Sequence, residues 1–176
     1  MMKARKTGKT ESRWVNVMHI EQEVTINAPA SKVFGAIIND FAGWWGAPYL
    51  ISQQAENIVL EPKLGGRLYE SWGGAQGALW ATVTRIKDGE TLELTGPMGM
   101  SGAVHSVTTF TLVSVDKATL VRLSQRVVGE VSESLQQGYT QGWGDLLGVR
   151  LKAYVETGKR YGLGHEPPPR PAGRGK

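Results

Sequence analysis

The chain has 176 residues, 40% hydrophobic and 20% charged, enough apolar material for one sizeable core with tails. It contains no cysteine, which excludes disulfides, thiolate nucleophiles and cysteine-ligated metal sites. The net charge of +4 resides at the ends: residues 1–18 and 158–176 carry +4 each and the span between them −4, which argues against a basic groove for specific nucleic-acid recognition.

Residues 1–18 read as a basic, flexible tail. Met1 to Arg13 lacks the apolar segment of a secretory signal, and no run has the apolar length needed to insert into a bilayer, so a cytoplasmic protein is expected. Met18 is an alternative start. The first strand follows, with Ile20, Gln22, Val24 and Ile26 alternating against Glu21, Glu23 and Thr25. Asn27-Ala28-Pro29 breaks it, and a short helix opening at Ala30 or Ser31 carries Val33, Phe34, Ile37 and Ile38. A second short turn holds Phe41, Trp44 and Trp45.

From Glu56 the period becomes two. The expected strands are Asn57–Leu60, Arg67–Trp72, Ala78–Ile86, Thr91–Thr95, Val104–Val115 and Thr119–Val128, separated by turn sequences such as Gly65-Gly66, Asp88-Gly89 and Asp116-Lys117. Consecutive hairpins without a helical crossover predict an antiparallel meander with one face to cover. The only element large enough to cover it is a helix of about seven turns from Ser132 to Thr157. Its steps of three and four place Leu135, Tyr139, Trp143, Leu146, Arg150 and Tyr154 along one side. Rings rather than an aliphatic seam on that face predict a cavity beneath it. The fold class is α+β, a curved antiparallel sheet of six or seven strands around a long C-terminal helix, over residues 19–158. Residues 159–176, with Pro167-Pro168-Pro169 and Pro171, read as a disordered tail.

This order of elements, Trp44-Trp45, the strand entry Glu61-Pro62-Lys63-Leu64-Gly65-Gly66-Arg67-Leu68, and the ending from Gly142-Trp143-Gly144-Asp145 through Glu156-Thr157-Gly158 resemble the START-like superfamily. That superfamily, also called SRPBCC, holds helix-grip proteins related to the birch-pollen allergen. The nearest branch is the one homologous to the C-terminal domain of the heat-shock protein 90 ATPase activator. The resemblance implies a deep hydrophobic cavity between sheet and helix, used for lipids, polyketides and other small apolar molecules, without implying one activity. In the eukaryotic co-chaperones a further N-terminal domain contacts the chaperone. Only about eighteen residues precede the first strand here, so a chaperone partner is not expected.

The candidate ligand-binding residues are Trp44, Trp45, Trp72, Trp80, Phe110, Tyr139 and Trp143, with Met98 and Met100 in the glycine-rich Gly96–Gly102 segment, read as a lid. Each ring alone serves equally well as core filler. Glu70 shares a strand face with Leu68 and Trp72, and if buried it needs a partner, for which Arg150 is the better placed and Arg67 lies on the wrong face. Gln125 shares the inward face of the last strand with Val121, Leu123 and Val127. His19, His105 and His165 are scattered, and no nucleophile elbow or phosphate loop is present, so neither metal nor cofactor is indicated. The expected function is binding of a small hydrophobic ligand. The alternatives are a polyketide cyclase or aromatase in which Glu70, Gln125 or Tyr139 moves protons, and a co-chaperone-like interaction domain. Oligomeric state is left open.

Overall fold

A computed structural model describes residues 16–162. Strand β1 (Asn16–Ile26) is followed by α1 (Ala30–Asn39) and α2 (Phe41–Trp44), then by β2 (Asn57–Leu60), β3 (Arg67–Ser71), β4 (Gly77–Lys87), β5 (Thr91–Gly96), β6 (Val104–Val115) and β7 (Ala118–Gly129). The chain ends in α3 (Glu133–Asp145), a π-helical segment (Leu146–Leu151) and α4 (Lys152–Thr157), one continuous helical rod. The strands form one antiparallel sheet in the order β1-β7-β6-β5-β4-β3-β2. Register shifts at Leu68/Tyr69 and Val83/Arg85 help to bend it. The expected α+β helix-grip architecture is the one observed.

Alternation sets the buried face. Ser106, Thr108, Phe110 and Leu112 of β6 and Val121, Leu123, Gln125 and Val127 of β7 all point inward, while His105 and Arg126 face solvent. The terminal rod covers that face and also one edge of the sheet. Gln136 Nε2 donates to the His19 carbonyl at 3.3 Å, Lys152 Nζ donates to the Thr25 carbonyl, and Gln22 Nε2 donates to the Thr140 carbonyl at 3.2 Å. An eleven-residue edge strand is thereby protected from pairing with another chain, and the opposite edge is the four-residue β2.

The rod starts where Ser132 Oγ accepts from the Leu135 amide at 3.2 Å and stops where Gly158 turns left-handed at φ 76°. Within it the π segment departs from the single regular helix expected. The extra residue per turn rotates the stripe, so Leu147, Leu151 and Val155 join Trp143, Leu146 and Arg150 among the buried residues, while Tyr154 is only half-buried.

Both domain boundaries differ from expectation. Strand β1 begins at Asn16, and Met18, paired with Val127 and buried, belongs to the core rather than to a tail. At the other end residues 159–162 dock on α2: the Tyr161 amide donates to the Gly43 carbonyl at 2.9 Å, and Arg160 forks onto Asp40 at 2.8 and 3.1 Å. Gly162 lies so close to Ala42 that an added Cβ would fall 1.8 Å from its carbonyl oxygen, so only glycine fits. The rest of both expected tails, including Met1 to Arg13 and His165, lies outside the described residues. Trp72 follows β3 rather than ending it. Among the described residues no helix is long and apolar enough to cross a membrane.

Candidate ligand-binding cleft

Trp45 at the end of α2, Trp80 of β4 and Leu135, Tyr139, Trp143 and Leu146 from the terminal rod enclose a cleft of about 320 Å³. The segment Pro48, Tyr49, Leu50 and Ile51 closes one flank, and Met98 and Gly99 close another. The exposed lining residues Pro48, Ile51, Ser134 and Gly138 mark the mouth of the cleft. Two of its glycines have different uses. A Cβ on Gly142 would meet the Tyr49 ring at 3.3 Å, so this glycine lets the ring approach the helix; a Cβ on Gly138 would meet none of the described residues within 4 Å, so Gly138 leaves the cleft open on that side.

Aromatic contacts fix the walls. Trp45 meets Trp80 and Trp143 edge-on with centroids 5.4 Å apart in both pairs, and Phe110 backs Trp143 at 5.8 Å. Trp44 lies behind Trp45 at 5.6 Å, fully buried. These rings fill the depth between sheet and helix, where the family resemblance implies a deep cavity. The open space is therefore a cleft displaced toward the first half of the rod.

The cleft carries few polar groups, and its phenols are tied down. Tyr139 donates its hydroxyl to the Met98 carbonyl at 3.0 Å, and burial pushes its pKa up to about 12. Tyr49 donates to Asp145 at 2.8 Å; burial first and the carboxylate second push it up to about 12. Both are neutral donors at physiological pH. The Met98 amide donates to the Trp80 carbonyl at 2.8 Å, so Met98 is anchored through both its amide and its carbonyl. Within the segment read as a lid, Met98 is a buried wall of the cleft, whereas Met100 is buried but not among its lining residues.

Glu70 is completely buried, and its partner is not Arg150. Its carboxylate accepts from the Ile51 amide at 2.8 Å through Oε2, and from the Ser52 amide at 2.8 Å and the Trp72 indole at 2.7 Å through Oε1. Glu70 thus holds the Ile51 flank from behind without lining the cleft. Arg150 does equivalent work on the other side of the same segment. It donates to Asp145 at 2.8 Å and to the Ala47 carbonyl at 2.9 Å, and its guanidinium lies over the rings of Tyr49 and Tyr161 at 4.8 and 5.3 Å.

Of the residues singled out from the sequence, Trp45, Trp80, Met98, Tyr139 and Trp143 converge on the cleft. Trp44, Glu70, Trp72, Met100, Phe110 and Gln125 are not among its lining residues, and all but the half-buried Trp72 are buried. Sequence reasoning passed over Pro48 to Ile51, Gly138 and Gly142. Two signals were available: an apolar run directly after a turn, and two glycines one turn apart in a helix, where each costs about 1 kcal/mol relative to alanine.

A long helix held in the concavity of one antiparallel sheet, over a cleft walled by rings, defines a helix-grip domain. The family model described as Activator of Hsp90 ATPase homolog 1-like protein matches residues 27–156, and the chain belongs to that family. Among solved structures it is similar to the Aha1 dimer from Colwellia psychrerythraea, with 20% identity, a TM-score of 0.61, and coverage of 80% of this chain and 98% of that one. It is similar also to DynU16 of the dynemicin biosynthetic locus, at 21% identity and TM-score 0.60, with 81% of this chain covered. The chain spans about half of DynU16, 49% of its length. Protein MLL2253 from Mesorhizobium loti matches at 22% identity and TM-score 0.55, over 78% of this chain and 96% of that one. At these identities the likeness is one of fold. No curated protein matches the chain significantly.

Proposed function

We infer that this protein binds a small apolar molecule of one or two fused rings in the cleft between the terminal rod and the sheet. The observation that carries the reading is the cleft itself: about 320 Å³, walled by Trp45, Trp80, Tyr139 and Trp143, with its two phenols already hydrogen-bonded to protein. Ligand sites are concave and mainly apolar with a few fixed polar groups, and about 300–1,000 Å³ is their usual range. A volume at the lower end favours a compact ring system over a long acyl chain.

An acid–base enzyme built on Glu70 has little to support it, because that carboxylate already accepts from three N–H donors and is not among the residues lining the cleft. A chaperone-contacting role rests on kinship alone.

Gly138 provides the test. A Cβ there meets no atom of the described residues, and Gly138 lines the cleft, so Gly138→Leu should preserve the fold and block entry. Quenching of tryptophan fluorescence by 2-isopropylnaphthalene is expected in the wild type, and Gly138→Leu should weaken binding by at least tenfold. Equal affinities in the two proteins would remove this cleft as the binding site.

A further inference from the structure

We propose that Trp143 is the cover of a second, polar subsite formed by Gln125 and Thr108, which takes an oxygen acceptor of the bound molecule. The inference rests on the cleft reading and deepens it: the ligand is an aromatic ketone, quinone or similar oxygenated ring rather than a hydrocarbon.

The two residues are register partners on β7 and β6, side by side on the concave face, and both are completely buried. Gln125 uses its carbonyl oxygen to accept from the Trp143 indole N–H at 2.8 Å. An indole nitrogen only donates, so the orientation of the amide is dictated: its oxygen must face Trp143 and its NH2 must point elsewhere. Among the described residues the NH2 has no partner there, and the Thr108 hydroxyl, on the register partner, has none either. Buried polar groups are nearly always satisfied, so two adjacent orphans in the middle of a sheet point to something that satisfies them. An amide NH2 and a hydroxyl are both able to donate, and together they fit an acceptor oxygen.

Trp143 separates this pair from the cleft. It lines the cleft, bonds to Gln125 and packs on Phe110, which is two residues from Thr108 on the same strand face. The indole N–H of Trp80, another lining residue of the cleft, is likewise buried without a partner among the described residues. A ring system that enters the cleft and displaces the Trp143 indole therefore gains access to two donors that have no acceptor among the described residues.

The test compares two probes of matched shape, 2-acetylnaphthalene, which carries a carbonyl, and 2-isopropylnaphthalene, which does not. The wild type is expected to prefer the ketone roughly tenfold, the magnitude of one net neutral hydrogen bond. Thr108→Val, which keeps the shape and deletes the hydroxyl, should reduce the preference to about twofold or less while leaving 2-isopropylnaphthalene binding unchanged. Thr108→Ser should restore it. In wild-type protein, nuclear magnetic resonance should show the Gln125 side-chain NH2 and the Trp143 indole N–H shifting with the ketone, and the Gln125 NH2 staying in place with the hydrocarbon. Equal binding of the two probes, a preference that survives Thr108→Val, or an unmoved Gln125 NH2 overturns the subsite and leaves the cleft standing. Absence of binding by both probes overturns the cleft reading and the subsite with it.

Discussion

Replacing Glu70 by glutamine changes one atom, yet it should be among the most damaging single substitutions in this domain. The carboxylate divides three donors between two oxygens, with Ser52 N and Trp72 Nε1 on Oε1 and Ile51 N on Oε2, at 2.7 to 2.8 Å. A glutamine can offer its carbonyl oxygen at only one of these places. In the better orientation it keeps two donors and turns its own NH2 against the Ile51 N–H, so one buried donor loses its acceptor and meets another donor. An unsatisfied buried donor costs about 1–3 kcal/mol, and the two surviving bonds lose their charge assistance. We expect a loss of about 3 kcal/mol in urea unfolding, which for a domain of this size is a fall of about 6–12 °C in Tm. Because Ile51 is a wall of the cleft, affinity for 2-isopropylnaphthalene should fall with it. A Glu70→Gln protein within about 0.5 kcal/mol of wild type would refute the claim that this carboxylate holds the segment.

Arg150→Met should cost about 2–3 kcal/mol in the same assay, since it strips a buried guanidinium from Asp145 and from the Ala47 carbonyl; Arg150→Lys should recover only part, because an ammonium cannot reproduce the fork or the stacking on Tyr49 and Tyr161. Full recovery by lysine would contradict that account. For the docked C-terminal residues, the Arg160 hydrogen bond holds the Asp40 carboxyl below its ordinary value of 3.8. A depressed pKa in the folded state contributes stability that is complete above the unfolded value and is lost as pH falls through the folded one, so the bridge should weaken below about pH 4. Asp40→Asn should flatten that part of the acid limb in urea midpoints measured between pH 3 and 6, and an unchanged slope would show that the bridge is solvent-screened. Gly138→Ala should raise stability by about 0.5–1 kcal/mol, because its Cβ meets none of the described residues and a helix interior favours alanine; a destabilised protein would mean that the helix is not as open there as the geometry indicates.

The order of elements was legible from the chain because it is written in local periods. Alternation in β6 and β7, turn residues between hairpins, and the stop at Gly158 are properties of neighbours in sequence, and the strands Asn57–Leu60 and Val104–Val115 emerge with both ends as read. The same parity put Glu70 and Gln125 on the inward face correctly. Which inward side chains touch open space was not legible. Phe110 and Trp143 are both inward rings, yet one is filler and the other a wall, since that depends on volumes contributed by α2, β4 and the terminal rod at once.

Partner choice followed the same divide. Glu70 finds amides 18 and 19 residues away in a segment with no regular structure, and Arg150 reaches a carbonyl 103 residues away, so parity on a strand or helix carries no information about either. The sequence by itself determined the strands, the rod and their inward faces, because backbone hydrogen bonding and side-chain alternation are local constraints. Only the tertiary structure decided where the rings leave a cleft, what pins its flank, and that the buried Gln125 NH2 and Thr108 hydroxyl stand unpaired among the described residues, because packing and polar satisfaction are settled between elements distant in the chain.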